Sequence, residues 1–188
     1  MGQASFRDVV NAIAFATAPR QIGSSSPIQM SRRLSPSAGA LHAIEMLLIR
    51  PAQRPQVFRY DPWKHELQRL AASPDGLRRM LEIVAEILPG ARGDVLIFAG
   101  DILKIEAVYD HPESLLWRDS GALLQTIYLV GTALNLAVCA TGALGGAAIE
   151  AIGVGDQLMA CGVLLLGSHT QFKDTGPSRR VESGSQRI

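Results

Sequence analysis

The spacing of apolar residues predicts four helices along the chain. Phe6–Ala16 and Ser73–Leu88 carry apolar side chains three or four residues apart, as the buried face of a helix requires. Glu113–Cys139 is predicted to form one long helix, and Ala147–Ile152 a short one. Because no charged residue occurs between Gly121 and Ala148, we expect the long helix to be buried on all sides.

Continuous or alternating apolar runs predict five strands. The clearest is Asp94–Ala99, because its unbroken apolar run is typical of a central strand that is buried on both faces. Pro19–Ser35 and Thr141–Gly146 are rich in glycine, proline or serine and are predicted to be loops. The predicted fold class is therefore α+β, a small sheet surrounded by helices. The predicted strands are Glu45–Ile49, Val57–Tyr60, His65–Leu70, Asp94–Ala99 and Leu158–Leu166.

Charged residues make up 19% of the 188 residues, below the roughly 25% of an average domain. This deficit indicates that much of the surface is buried, either in the core or against a partner subunit. Two copies that pack the long helix against each other would bury that helix fully. The net charge of +1 argues against a nucleic-acid-binding protein. We expect one domain over residues 1–174 and a polar C-terminal tail over residues 175–188.

Neither a metal site nor a membrane span is predicted. The two cysteines, Cys139 and Cys161, lie in apolar surroundings and have no metal-ligand spacing. The uncharged segment Gly121–Ala148 is long enough to cross a bilayer, but threonine, asparagine, glutamine and glycine residues interrupt it. The apolar stretch near the N-terminus lacks the basic flank of a signal peptide. We therefore expect a cytoplasmic protein without membrane or nucleic-acid partners.

Three stretches of the sequence carry a resemblance to one enzyme family. They are Ser35–Glu45, which contains Pro-Ser-Ala-Gly-Ala-Leu-His, then Val57–Pro62 with His65–Leu67, and then Trp117–Gln125, which continues to Gly142. By the order and separation of these stretches, the chain resembles the FMN-dependent azoline dehydrogenases of peptide natural-product pathways, which are a branch of the nitroreductase superfamily. The resemblance implies a mixed sheet flanked by helices, an intertwined homodimer with a long central helix, and FMN bound at the dimer interface.

The first of these stretches is a candidate flavin cradle. Ala38 and Gly39 have little or no side chain, so their backbone can approach a flavin ring or ribityl chain closely. With Pro36 and Ser37 they form the loop that the family uses for flavin. Arg33, just upstream, can pair with the FMN phosphate or with ring carbonyl oxygens. The alternative is a simple loop in which Ser37 caps a short helix and Arg33 is solvated.

The resemblance implies two further groups of flavin contacts. Thr141 and Gly142 would donate backbone N–H groups to flavin N5, while Cys139 and Ala140 would line one face of the ring. The alternative for this segment is a glycine cap that ends the long helix, and both interpretations can hold together. Gln125, on the long helix, is either a flavin contact or a polar residue in a helix–helix hydrogen bond.

Tyr109 and His111 are the candidate catalytic residues. Azoline oxidation needs a base that removes a carbon-bound proton as hydride leaves, and the family carries a Lys-Tyr pair shortly before the third stretch. Here Tyr109 matches the tyrosine, but Val108 replaces the lysine. His111 can serve as the base because the ordinary pKa of histidine is about 6.5; alternatively it is a surface histidine before a proline.

The FMN phosphate would need cationic side chains to bind it. We find no counterpart of the arginine-rich element with which typical superfamily members begin, and Arg7 is only a weak substitute. The phosphate partners are instead expected to be Arg32 and Arg33, or the late group Lys173, Arg179 and Arg180. The alternative for the late group is a disordered basic tail.

The predicted function is that of an FMN-dependent oxidoreductase, which passes hydride between a small organic or peptidic substrate and flavin N5. The first alternative is an NAD(P)H-dependent nitro or quinone reductase, with NAD(P)H as a further partner. The second alternative is a degenerate, non-catalytic protein of the same fold, because the family lysine and the N-terminal arginines are not found.

Overall fold

The structure is a computed structural model that describes residues 1–23 and 29–169. Its strands are β1 Gln21–Gly23, β2 Met30–Arg32, β3 Ile44–Arg50, β4 Gln56–Asp61, β5 Glu66–Arg69, β6 Asp94–Asp101, β7 Leu136–Ala140 and β8 Leu158–Ser168. Its helices are α1 Phe6–Thr17, α2 Pro74–Ile87, α3 Ile102–Glu106, α4 Pro112–Ala133 and α5 Gly146–Ile152, and Ala38–Ala40 forms a turn of 3-10 helix. Six strands form one sheet in the order β5-β4-β3-β6-β8-β7, and β1 pairs with β2 separately.

The sheet has a hydrophobic core on each face, because neighbouring side chains of a strand point to opposite sides. In β3, Met46 and Leu48 belong to the core that contains α1 and α4. Leu47 and Ile49 belong to the core that contains α2 and α5. The central strand β6 is buried along almost its whole length, which confirms the prediction made from its continuous apolar run.

Polar caps define where two of the helices begin. The Ser5 hydroxyl accepts the Asp8 amide at 3.1 Å, and the Ser73 hydroxyl accepts the Gly76 amide at 3.4 Å. Pro74 occupies the first turn of α2, where its missing N–H costs no hydrogen bond. Both helices match their predicted ranges to within one residue at each end.

The long helix is shorter than the sequence predicted. It ends at Ala133, and Leu136–Ala140 forms β7 instead of continuing the helix to Cys139. Asn135 adopts the left-handed conformation, with φ of 58°, which asparagine tolerates better than most residues and which ends the helix. The apolar run after Asn135 then pairs with β8, from Leu136 opposite Ser168 onward.

Two other predictions need correction, and one stays a prediction. The α+β class is confirmed, but every strand pair of the six-stranded sheet in the described chain is antiparallel, so this sheet is not mixed. Within the single chain, α4 is buried on one face, because Leu123 and Ile127 are covered while Trp117 is 43% and Leu129 is 63% exposed, so burial on all sides stays a prediction that needs a second copy. The predicted loop Pro19–Ser35 contains β1 and β2, which pair with each other.

Within residues 1–23 and 29–169, every helix is too short or too polar to cross a membrane. The same residues contain no group of three or more histidine, cysteine, aspartate or glutamate side chains arranged to hold a metal ion. The predicted tail, residues 175–188, lies outside the described residues, as do Lys173, Arg179 and Arg180. The domain boundary at residue 174 therefore stays a prediction.

Candidate functional site

The loop Ser37–His42 is held in place by the carboxylate of Asp119, on α4. The Ser37 hydroxyl donates to Asp119 Oδ2 at 2.5 Å, and the Ala38 amide donates to both carboxylate oxygens at 3.1 Å. The Ser37 hydroxyl also accepts the His42 amide at 2.9 Å. Asp119 is only 8% exposed, so these bonds satisfy a carboxylate whose burial would otherwise be costly. Ser37 therefore bonds to Asp119 and does not cap the short helix with its side chain, contrary to the alternative considered from the sequence.

Tyr109 packs directly on this loop at Gly39. Gly39 has φ of 57°, and a Cβ atom at this position would lie 2.7 Å from the Tyr109 hydroxyl oxygen. Glycine tolerates this φ without strain and leaves room for the tyrosine. The structure thus brings the predicted catalytic residue Tyr109 against the predicted flavin loop, although the two are far apart in the sequence.

Ser31, on β2, fixes the positions of Arg33 and His42 beside the loop. The Arg33 Nε group donates to the Ser31 hydroxyl at 3.0 Å, and His42 Nε2 donates to the Ser31 carbonyl at 2.8 Å. The Arg33 guanidinium lies over the ring of Trp63, 5.3 Å from its centroid. Ser31 and the ring of Trp63 together orient the guanidinium plane. Among the described residues, none forms a hydrogen bond with the terminal nitrogens of Arg33, which can therefore donate to a ligand.

Two clefts share Arg33 and His42 as lining residues. The first is lined by the loop residues Pro36 and Ser37 together with Asp119. The second has a volume of about 200 Å³ and is lined on its other sides by residues that include Tyr60, Trp63 and Lys104. The structure therefore brings five residues of the sequence prediction to this region: Arg33, Pro36 and Ser37 line the first cleft, and Gly39 lies next to Tyr109.

Burial lowers the pKa of three basic side chains that line the clefts. Desolvation, followed by the nearby charge of Arg33, lowers the pKa of His42 from 6.5 to about 4. Desolvation also lowers the pKa of Arg33 from 12.5 to about 10. Burial and then repulsion by Arg33 lower the pKa of Lys104. At neutral pH, His42 is therefore neutral while Arg33 keeps its positive charge.

The segment Cys139–Gly142 lies on a different part of the chain's surface. Cys139 and Ala140 end the edge strand β7, and neither of the two clefts is lined by this segment. The Thr141 amide donates to the Val163 carbonyl at 3.0 Å, which leaves the Gly142 amide as the remaining predicted donor to flavin. The alternative of a glycine cap on the long helix is wrong, because α4 ends at Ala133.

Gln125 and His111 are both exposed to solvent. Gln125 lies on the outward face of α4. His111 immediately precedes α4 with φ of 56°, and its side chain makes no capping hydrogen bond. Of the two predicted catalytic residues, only Tyr109 therefore contacts the loop.

Three residues of the site were not among the predicted site residues: Asp119, His42 and Lys104. Asp119 and His42 lie inside the stretches that carry the family resemblance, so the motif itself was the available signal. Lys104 lies outside those stretches. Lys104 lies on α3, which directly follows β6, and its Nζ donates to the His42 carbonyl at 3.4 Å. It lines the second of the two clefts, of about 200 Å³, which we call the larger cleft.

One comparison with known proteins identifies a family. The model of the nitroreductase family matches residues 6–164. No curated protein matches the chain.

Solved structures share the fold at identities below 25%. A protein of Anabaena variabilis ATCC 29413, assigned as a nitroreductase, has a TM-score of 0.71 at 19% identity, over 85% of this chain and 34% of its own. A chain of the E. coli microcin synthetase McbBCD complex, solved with truncated pro-MccB17 bound, has a TM-score of 0.69 at 19% identity, over 90% and 65%. A protein of Ralstonia eutropha JMP134, also assigned as a nitroreductase, has a TM-score of 0.67 at 15% identity, over 92% and 77%. The chain thus spans about one third of the first structure's length and just under two thirds of the second's.

We expect Asp119→Ala to lower the free energy of unfolding by about 2–4 kcal/mol, because it leaves the Ser37 hydroxyl and the Ala38 amide without their acceptor. The matched control is Asp156→Ala, since Asp156 is exposed and its removal should change stability by no more than about 0.5 kcal/mol. Urea denaturation followed by circular dichroism measures both. Equal effects would show that the buried carboxylate does not hold the loop.

Acid should destabilise the protein through His42. Its pKa is about 4 in the folded state and 6.5 ordinarily, so the unfolded state binds more protons between these values. Stability from this group is therefore complete above pH 6.5 and is lost as the pH falls toward 4. His42→Gln keeps a donor for the Ser31 carbonyl but does not titrate, so its melting temperature should depend less on pH in this window. His169→Gln, an exposed control, should retain the wild-type dependence; if His42→Gln retains it as well, the assignment to His42 is wrong.

Proposed function

Because this chain belongs to the nitroreductase family, we propose that it is an FMN-dependent oxidoreductase, which passes hydride between a small organic or peptidic substrate and flavin N5. The observation that carries the proposal is the Pro36–Gly39 loop. Asp119 fixes the backbone of this loop, and the side chains of the loop are small. Arg33 lines the same cleft as Pro36 and Ser37. When bound, FMN supplies N5 as the atom that exchanges hydride.

The residues of the loop fit FMN as one wall of a larger site. Pro36–Gly39 offers backbone and small side chains to the flavin, and Arg33 offers a guanidinium to its phosphate or ring oxygens. The adjoining cleft, of about 200 Å³, is smaller than the roughly 300–1,000 Å³ of most small-molecule sites. A second surface is therefore needed to enclose a molecule of this size.

A second copy of the chain is the proposed source of that surface. The outward face of α4 carries Gln125 and three exposed large hydrophobic residues, Trp117, Tyr128 and Leu129. A homodimer packed through α4 would cover this apolar face and would account for the low share of charged residues. It is also the arrangement in which Gln125 and Cys139–Gly142 could reach a flavin that is seated on the loop.

Tyr109 is the residue that we propose to handle the proton of the reaction. Its hydroxyl lies beside Gly39, so it faces the loop on which the flavin would rest. A hydroxyl at this place can donate a proton to a reacting atom or orient a substrate that carries one. His111, exposed two residues further along, is the second candidate for the same role.

Within the family, we propose membership in the azoline-dehydrogenase branch, with a peptidic substrate. The support is the Pro-Ser-Ala-Gly-Ala-Leu-His stretch, together with the shared fold of a chain in a microcin synthetase complex that holds a truncated pro-MccB17. The competing function is an NAD(P)H-dependent nitro or quinone reductase. Val108, which stands where the branch has lysine, favours this alternative.

A flavin-binding experiment tests the proposal most directly. Protein mixed with FMN and then desalted should keep a visible flavin spectrum, and light scattering should give twice the 20.1 kDa of one chain. Gly39→Val should weaken FMN binding at least about 10-fold, because its side chain would displace Tyr109 and disfavour φ of 57°. Gly155→Val, where an added Cβ meets no other atom, is the control. A colourless wild-type protein with intact secondary structure would refute the proposal.

The substrate class and the role of Tyr109 are tested together. We expect an azoline peptide to bleach the bound flavin faster than NADPH in stopped-flow measurements. Tyr109→Phe should lower kcat about 100-fold or more while the FMN content stays unchanged, and it should alter the pH profile of kcat. If His111→Gln has this effect and Tyr109→Phe does not, the proton passes through His111. Faster bleaching by NADPH would favour the reductase.

A further inference from the structure

The larger cleft is unusual in its charges. It lies between the start of β3, the β4–β5 hairpin and α3, and its volume is about 200 Å³. Three cationic side chains line it, together with two carboxylates and two flat aromatic rings. These residues are Arg33, Arg59, Lys104, Glu45, Asp61, Tyr60 and Trp63.

The carboxylates at the cleft already have other partners. Glu45 forms an ion pair with Arg59 at 3.6 Å. Asp61 accepts the Trp63 and Lys64 amides at 2.9 and 3.3 Å. Asp101, close by, accepts the Lys104 amide at 3.0 Å and so caps α3. Each of the nearby acids is therefore engaged with a side chain or the backbone.

Of the three cations that line the cleft, Arg33 and Lys104 lack a carboxylate as an ion-pair partner. In the part of the chain that the structure describes, neither forms an ion pair with a carboxylate. The Arg33 Nε group donates to Ser31 and the Lys104 Nζ group to the His42 carbonyl, so both retain further N–H donors. Asp61 attracts Arg33, and Asp101 and Glu45 attract Lys104, only at distances longer than an ion pair.

This arrangement costs free energy when the cleft holds only water. Burial lowers the pKa of both Arg33 and Lys104, and Arg33 lowers that of Lys104 further by repulsion. An anion between the two groups would reverse both effects, because charge-assisted hydrogen bonds compensate the lost hydration. Neutral His42 neither adds to the positive charge nor competes for the anion.

We infer that Arg33 and Lys104 together bind one oxyanion, a phosphate monoester or a carboxylate, in this cleft. The planar guanidinium of Arg33, which lies over Trp63, would pair with two oxygens of the anion at once. The Lys104 ammonium would contact the anion from another side as a point charge. The oxyanion is either the phosphate of FMN or the acidic group of a separate ligand. Only the first source rests on the proposed function, because the second needs no flavin.

The test begins with inorganic phosphate and acetate, titrated by calorimetry at constant ionic strength into the protein with and without FMN. Lys104→Gln and Arg33→Gln should each weaken binding at least about 10-fold, and Lys104→Arg should restore part of it. The matched control is Lys64→Gln, which removes one positive charge next to Trp63 from an exposed residue that does not line the cleft. Circular dichroism shows that each variant is folded.

Riboflavin, which lacks the phosphate, separates the two sources. If the cleft holds the FMN phosphate, Lys104→Gln should weaken FMN at least about 10-fold but leave riboflavin unchanged, and inorganic phosphate should compete with FMN. If it holds a separate ligand, the FMN-loaded protein should still bind phosphate or acetate, and only the cleft variants should lose this. The inference is overturned if the folded wild type binds neither anion and its FMN affinity is insensitive to Lys104→Gln. Failure to bind any flavin would refute the proposed function alone.

Discussion

A buried carboxylate must find hydrogen-bond donors, and Asp119 finds them in the loop that leads into β3. This contact ties α4, on one face of the sheet, to the loop Ser37–His42, which is also held by Ser31 and Lys104 through His42. Through the Ser37 hydroxyl it extends to the His42 amide, and the His42 side chain in turn meets β2. The position of the loop, against which Tyr109 packs, thus depends in part on one acid that is distant in sequence.

Much of the fold could be predicted because local and tertiary preferences agree. The continuous apolar run of β6 fits a strand covered on both faces, and α2 begins with Ser73 and Pro74, which favour a helix start in any context. The end of α4 was not predictable from apolar content, because the residues after Asn135 suit a buried helix and an edge strand equally well. Pairing with β8 decided between them, and that pairing is a long-range interaction.

The site was predictable only where its residues lie in one continuous stretch. Arg33 and Pro36–Gly39 are neighbours in sequence and remain neighbours in the structure. Lys104 could not be assigned in this way, since nothing in its local sequence shows that α3 carries it to the His42 carbonyl. For Gln125 and Cys139–Gly142 the reason is different: a single chain does not bring them to the loop, so their predicted role depends on a contact between chains.

The charge of the larger cleft and the exposed apolar face of α4 have different physical origins. The larger cleft is lined by three cations and by two carboxylates that already have other partners, and a small anionic ligand could compensate the excess positive charge without any change in the oligomeric state. The outward face of α4 lacks apolar cover, with Leu129 63% exposed, and only another protein surface could supply that over the length of a helix. Ligand binding by Arg33 and Lys104 and association through α4 are therefore separable. If the proposed homodimer is made monomeric and still binds an oxyanion, the cleft is a property of the single chain, whereas the proposed flavin site would also need the second surface.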